Sequence, residues 1–167
     1  MQQITAKKTS LQVLINLYDF HTKLFYNVIV DITNEDASKR LDTKANHVAW
    51  LAGSLVNARF DLAKALGINE QQTTGELFKN NSGIQDNATY PSLSEYKKDW
   101  ENISTVLKNA LDNLDEDKLN GPDPFGMPGV DMKLFDSITF LIDRESYCIG
   151  QVGLWRRLLG YDAMKYD

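Results

Sequence analysis

Residues 131–160 read DMKLFDSITFLIDRESYCIGQVGLWRRLLG, and one stripe recurs through them at steps of three and four: Leu134, Ile138, Leu141, Glu145, Cys148, Val152, Trp155 and Leu159, closed by Gly160. An α-helix turns every 3.6 residues, so this spacing lays a continuous seam along one helix face, where a strand would alternate at every second residue. The glycine just past the seam stands where helices commonly end in a left-handed residue. Glu145 is the only charged member of the stripe. An ionised carboxylate among apolar neighbours is costly unless it is paired, so the interior beside Glu145 is expected to be polar or wet.

The same period runs outward from this segment through the rest of the chain. A first helix is expected over about 5–32, with the seam Leu11, Leu14, Tyr18, His21, Phe25, Val28 and Ile32; Asn34 and Asp36 then mark a loop. A second is expected over 43–66, with Val48, Leu51, Leu55, Ala58, Leu62 and Ala65, stopped by Gly67. Residues 68–92 are rich in Asn, Thr and Gln and read as a long crossover. A third helix opens at Ser92-Leu93-Ser94-Glu95, a capping box in which serine and glutamate each satisfy a free backbone N–H, and it carries Tyr96, Trp100, Ile103, Val106, Leu107, Ala110 and Leu114. Gly121-Pro122, Asp123-Pro124 and Met127-Pro128-Gly129 then force a turn before the last helix. The expectation is a single all-α domain over 1–167, a four-helix bundle with its long crossover between the second and third helices. If the first two helices are antiparallel, His21 lies at about the level of Ser54.

Bulk composition narrows the function classes. The chain has 167 residues, 43% hydrophobic and 25% charged, which suits one globular domain. A net charge of -5 repels phosphate backbones, and Arg156-Arg157 is the only basic pair within a long helical stretch, so nucleic acid is not an expected partner. No apolar run approaches the ~20 residues of a membrane span, and the opening Met-Gln-Gln-Ile-Thr-Ala-Lys-Lys lacks the apolar core of a signal peptide, so no membrane partner and a cytoplasmic location are expected. Cys148 is the single cysteine, which excludes an internal disulfide and any Cys-x-x-Cys motif.

Residues 142–151, Ile-Asp-Arg-Glu-Ser-Tyr-Cys-Ile-Gly-Gln, followed by Leu154-Trp155-Arg156-Arg157-Leu158-Leu159-Gly160, resemble the last helix of the DinB-like (DinB/YfiT) family, which typically reads His-Glu-x-Tyr-His-x-Gly-Gln there. Residues 46–55, Asn-His-Val-Ala-Trp-Leu-Ala-Gly-Ser-Leu, look like that family's second helix, where a histidine usually follows the glycine. With four helices in matching order, the resemblance covers essentially the whole chain. It implies a DinB-type bundle whose relatives hold a divalent metal, often nickel or zinc, with one histidine on the second helix and a His-x-x-x-His pair on the last. Positions i and i+4 lie one above the other on a helix, which is why two imidazoles at that spacing converge on one ion. Carried onto this chain, the three ligand positions are Ser54, Arg144 and Cys148. None is histidine, and a guanidinium offers no lone pair and repels a cation. A metal-free pocket at Ser54, Arg144 and Cys148, with no cofactor, is therefore the expectation, while nickel or zinc held by a substitute set of His21, Glu145 and Cys148, with His47 nearby, is the alternative.

Each of these residues also has a plainer reading. His47 is either site-facing or a partly buried residue of the helix's first turn that hydrogen-bonds a neighbour. His21 is either a pocket residue or a core histidine packed by Tyr18 and Phe25. Cys148 is either a thiolate activated by Arg144 one turn away or a small core residue. Arg144 either clamps a carboxylate or phosphate of a ligand or pairs with a carboxylate such as Asp61. Trp50, Trp100, Tyr147 and Trp155 read as core before they read as a pocket, and Gly150 with Gly153 allows another helix close. The preferred function is a metal-free DinB-like protein that binds a small, anionic molecule in the bundle cavity, without metal-dependent catalysis. The alternatives are a metal- or thiol-dependent transferase or isomerase, as among better-known relatives, and a structural protein that acts as a homodimer.

Overall fold

The computed structural model describes the chain except Met1, Thr74, Met127 and Pro128, and it leaves aside the side chains of residues 2–9 and 81. Six α-helices are described: α1 (Gln2–Ile29), α2 (Asn34–Ala37), α3 (Val48–Ala65), α4 (Leu93–Asp112), α5 (Glu116–Leu119) and α6 (Leu134–Leu158), with a 3-10 segment at Gly75–Asn81 before α4. Among the described residues there is no strand, only an isolated antiparallel bridge between Pro122 and Lys133. No described helix is long and apolar enough to cross a membrane.

Side chains fix most of the helix starts. Ser92 and Glu95 form the capping box at the head of α4, and Thr33 and Asp115 cap the short α2 and α5. At the far ends, Gly67 (φ 87°) and Gly160 (φ 90°) follow α3 and α6 in the left-handed region that a glycine adopts without strain. Three expected boundaries move, each for a local reason. The first helix stops at Ile29 rather than 32, because the chain turns through Asp31 at φ 64°. The second begins at Val48 rather than 43, since Leu41 and Asp42 are left-handed and residues 40–45 are held in a turn by Thr43 and Arg40. The last begins at Leu134 rather than 131, because the backbone just before it is bonded sideways to the 121–123 loop, Asp123 N–H to Met132 O and Leu134 N–H to Gly121 O. Of the expected Met127-Pro128-Gly129 turn, the first two residues lie outside the described set.

The four long helices form a ring of contacts: α1 packs on α4 and α6, and α3 packs on α4 and α6. Cross-helix bonds give their directions. Tyr18 with Ser104 and Trp100 with Thr22 make α1 antiparallel to α4, whereas His21 with Glu145 and Val28 with Arg156 make α1 parallel to α6. Ser54 with Arg144 and Asn46 with Trp155 make α3 antiparallel to α6. Thus α3 and α4 run the same way, and residues 66–92 must carry the chain back along the length of the helices. Phe78 ties this return path down: it is buried, and a Cβ on Gly53 would stand 2.7 Å from its ring and 2.4 Å from the Tyr96 hydroxyl. Gly53 therefore permits a close approach that alanine would block.

Candidate functional site

Glu145 does not open onto a cavity. Inside the ring of helices, Arg59 of α3 donates to it twice, from Nε to Oε1 at 2.6 Å and from Nη2 to Oε2 at 2.9 Å, and His21 Nδ1 lies 3.3 Å from Oε2. The Arg59 guanidinium is sandwiched between aromatic rings, 3.7 Å from the Tyr18 centroid and 3.5 Å from that of Trp100. Its Nη1 donates to Thr22 Oγ1 at 2.8 Å and to Ser104 Oγ at 2.6 Å. Burial pushes the Glu145 carboxyl up, but the charge and hydrogen bonds of Arg59, with His21 adding to them, outweigh it and hold the group below its ordinary value. An ionised Glu145 only accepts, so His21 carries its proton on Nδ1. All three side chains are buried, and every oxygen of the carboxylate is engaged. The polar interior expected around Glu145 is thus a buried ion pair between helices.

The open space lies on the other side of α6. Arg144 precedes Glu145 by one residue, about 100° around the helix, and so faces outward between α3 and α6. There, Ser54, Asn57, Ala58 and Asp61 of α3 and Ser137, Phe140, Leu141 and Arg144 of α6 line a cleft of about 470 Å³. Both sets follow the i, i+3, i+4, i+7 spacing of a single helix face. Trp50, Phe78, Asp123 and Phe125 complete its walls. Its size suits a small molecule.

Within the cleft, Arg144 is half-buried and donates through Nη2 to Ser54 Oγ and through Nη1 to Ser54 O at 3.4 Å. No carboxylate among the described residues comes within ion-pairing distance of it. Asp61, the pairing partner considered from sequence, instead accepts from Asn57 Nδ2 at 2.7 Å. Desolvation along the cleft wall pushes its carboxyl up, against the opposing pull of Asn57 and Lys64, although the side chain still reaches solvent. The Trp50 Nε1–H is buried and finds no acceptor among the described residues.

The six residues singled out in the sequence therefore fall in four places. Ser54 and Arg144 meet in the cleft, and His21 and Glu145 meet in the closed interior. Cys148 is buried in the hydrophobic core and lines no cleft; burial pushes its thiol up, with Arg144 only partly offsetting that, so the cation does not make it a ready thiolate. His47 sits just before the first turn of α3 as its cap: Nδ1 accepts from Trp50 N–H at 3.1 Å, and the ring meets Tyr90 edge-on at 4.9 Å. Of the substitute set, His21 and Glu145 meet while His47 stands apart at the head of α3, and among the described residues no three His, Cys, Asp or Glu side chains converge as an ion's ligands would. At Ser54, Arg144 and Cys148, the serine is bonded by a guanidinium that offers no lone pair, a donor set that does not fit a divalent cation.

Sequence reasoning missed Arg59 and the second half of the cleft. Arg59 had a readable signal, since Leu55, Arg59 and Leu62 are spaced four and three apart and the seam rung went to Ala58 instead. Phe78 and Phe125 had none, because they reach the cleft from segments with no period. Arg156, which matched the resemblance in the tail, is buried and closes the end of α1 by donating to Val28 O at 3.1 Å and to Val30 O, a structural task. No family model matches this chain, and no curated protein does either.

Proposed function

We propose that the chain is a metal-free, divergent DinB-like four-helix bundle that holds a small anionic molecule against Arg144 in the α3–α6 cleft. One observation carries this reading: a half-buried guanidinium lines an aromatic-walled cleft and has no carboxylate partner among the described residues. Of its five N–H donors, Ser54 takes two, which leaves a fork suited to a carboxylate or phosphate. The family relationship rests on the sequence resemblance of residues 46–55 and 142–160 and on the helix order, with parallel α3 and α4 joined by a long return. The anion would occupy the neighbourhood in which the family places its ion, with the sign of the charge reversed.

Calorimetric titration of benzoate, hexanoate and inorganic phosphate into the protein tests the reading. Saturable binding of at least one of them, lost in Arg144→Gln, supports it. Absence of binding by all three, or binding that survives Arg144→Gln, overturns it.

A second reading, pairing of two copies, is favoured by the outer face of α6. Tyr147, Leu154 and Leu158 are 69%, 61% and 57% exposed, and a Cβ on Gly150 would meet nothing within the chain. A glycine inside a helix costs about 1 kcal/mol relative to alanine, and packing within the chain gives no return for it. Light scattering on the protein and on Leu154→Glu decides: a dimer that becomes monomeric supports pairing through this face, and a monomer in both removes it.

A further inference from the structure

The cleft is polarised along its length. At one end stands a donor, the Arg144 guanidinium held by Ser54. Asp61 is seven residues beyond Ser54, and Ser137 is seven residues before Arg144, so both lie about 10 Å along their helices from the Ser54–Arg144 contact. Because α3 and α6 are antiparallel, these two displacements point the same way. The far end therefore gathers acceptors: Asp61, and Asp123, whose Oδ1 accepts from Ser137 Oγ at 2.7 Å. No Lys or Arg among the described residues pairs with Asp61. Between the ends stand Ala58, Phe140 and Leu141, and Phe125 adds a second aromatic wall; Phe125 and Phe140 are 42% and 47% exposed.

We infer that the cleft selects a bipolar molecule, an ω-amino carboxylate: its carboxylate rests on Arg144, its ammonium on Asp61 in the negative field of Asp123, and its hydrocarbon spacer on Phe125 and Phe140. This rests on the anion-binding reading above and adds its second end. A simple anion makes no use of the acceptor end, and a simple amine makes no use of the guanidinium. An α-amino acid carries both charges on one carbon and cannot span the two ends. The chemistry calls for charges several carbon atoms apart with no branching polar group between them, since the intervening wall offers apolar surface.

Calorimetry with isomers makes the test. The probes are 6-aminohexanoate, its isomer norleucine (2-aminohexanoate), hexanoate and hexylamine, with 8-aminooctanoate as the longer homologue. The expected result is that 6-aminohexanoate or 8-aminooctanoate binds about tenfold or more tighter than norleucine and hexanoate, a difference of about 1.4 kcal/mol. Asp61→Asn should bring the ω-amino acids down to the affinity of hexanoate, while Asp61→Glu keeps most of the preference. Asp61 is exposed, so both variants should melt with the parent; the Glu variant guards against an unfolded Asn variant. If hexanoate or norleucine binds as tightly as the ω-amino acids, the inference is overturned and the Arg144 reading stands. If no carboxylate of any kind binds, both are overturned.

Discussion

Replacing Arg59 with methionine leaves Glu145 buried opposite an apolar side chain of similar length. The ion pair it removes has two charge-assisted bonds, of 2.6 and 2.9 Å, and both partners are almost inaccessible, at 2% and 4%. Removing one member of such a pair costs about 3–5 kcal/mol, chiefly because the survivor is stranded without solvent. Thr22 and Ser104 lose the donor but keep their own bonds, Thr22 Oγ1 to Tyr18 O and Ser104 Oγ to Trp100 O, so they add little. The methionine sits between Tyr18 and Trp100, where its thioether replaces part of the cation–π contact. Against a total stability of about 5–15 kcal/mol the variant still folds, with a melting temperature about 6–20 °C lower, at 2–4 °C per kcal/mol for a chain of this size.

The pH dependence separates this cause from simple loss of packing. In the parent, Glu145 titrates below its ordinary value, so its stabilisation is present above about pH 4.3 and is lost as the pH falls through the depressed folded-state value. In the variant desolvation, the largest influence on the group, is opposed only by His21, so the folded-state value is expected to rise above the unfolded one; the penalty is then greatest at neutral pH and shrinks as the pH is lowered. Urea unfolding followed by tryptophan fluorescence at pH 7 and pH 5 should therefore show the gap between parent and variant closing at pH 5. Arg59→Met with Glu145→Met should recover most of the loss, because two apolar side chains replace two stranded charges. A loss below about 1 kcal/mol, a gap independent of pH, or a double variant no better than the single would refute the reasoning.

Three further outcomes follow from the packing. Gly53→Ala drives a methyl group to within 2.4 Å of the Tyr96 hydroxyl and 2.7 Å of the Phe78 ring, so denaturant titration should show a loss of about 1–3 kcal/mol, and Phe78 should shift in the cleft wall, weakening hexanoate binding. His47→Ala removes the cap of α3 and should cost about 0.5–2 kcal/mol in the same assay. Burial, with Arg40 adding to it, pushes the His47 imidazole down, so its share of stability is present above about pH 6.5 and falls away as protonation blocks the Nδ1 acceptor; His47→Ala should lose its disadvantage towards pH 5. Cys148 should resist a thiol-specific disulfide reagent at pH 7.5 in the native protein and react fully in guanidinium chloride, and fast native labelling would contradict its placement in the core.

Periodicity carried the four long helices, since each repeats its seam often enough for the 3.6-residue rhythm to rise above noise. It carried neither the short α2 and α5 nor the 3-10 segment, which have at most two turns and no stripe. Glu145 announced that something polar was buried, because a charge on an apolar seam demands a partner. The identity of that partner was harder to read, since α3 is also buried at Ala52, Gly53, Val56 and Phe60, and both Ala58 and Arg59 fit the rung between Leu55 and Leu62. His21 and Arg144 were both noticed, yet the 100° between consecutive residues of α6 separates them: Glu145 takes His21 into the closed interior, while Arg144 opens onto the cleft. The walls contributed by Phe78, Asp123 and Phe125 depend on where two irregular segments fold back, which no local pattern encodes.

The claim on which the account turns is that Arg144, and not the buried Arg59, receives an anion. Proton–nitrogen correlation of the arginine side-chain Nε–Hε groups, with the Arg144 signal assigned by its absence from Arg144→Gln, reads both guanidinium groups at once during a titration with hexanoate. The account predicts a saturable shift of the Arg144 signal while that of Arg59, closed in by Glu145, Tyr18 and Trp100, stays in place. A titration in which Arg144 does not move, or in which Arg59 moves and Arg144 does not, would contradict it.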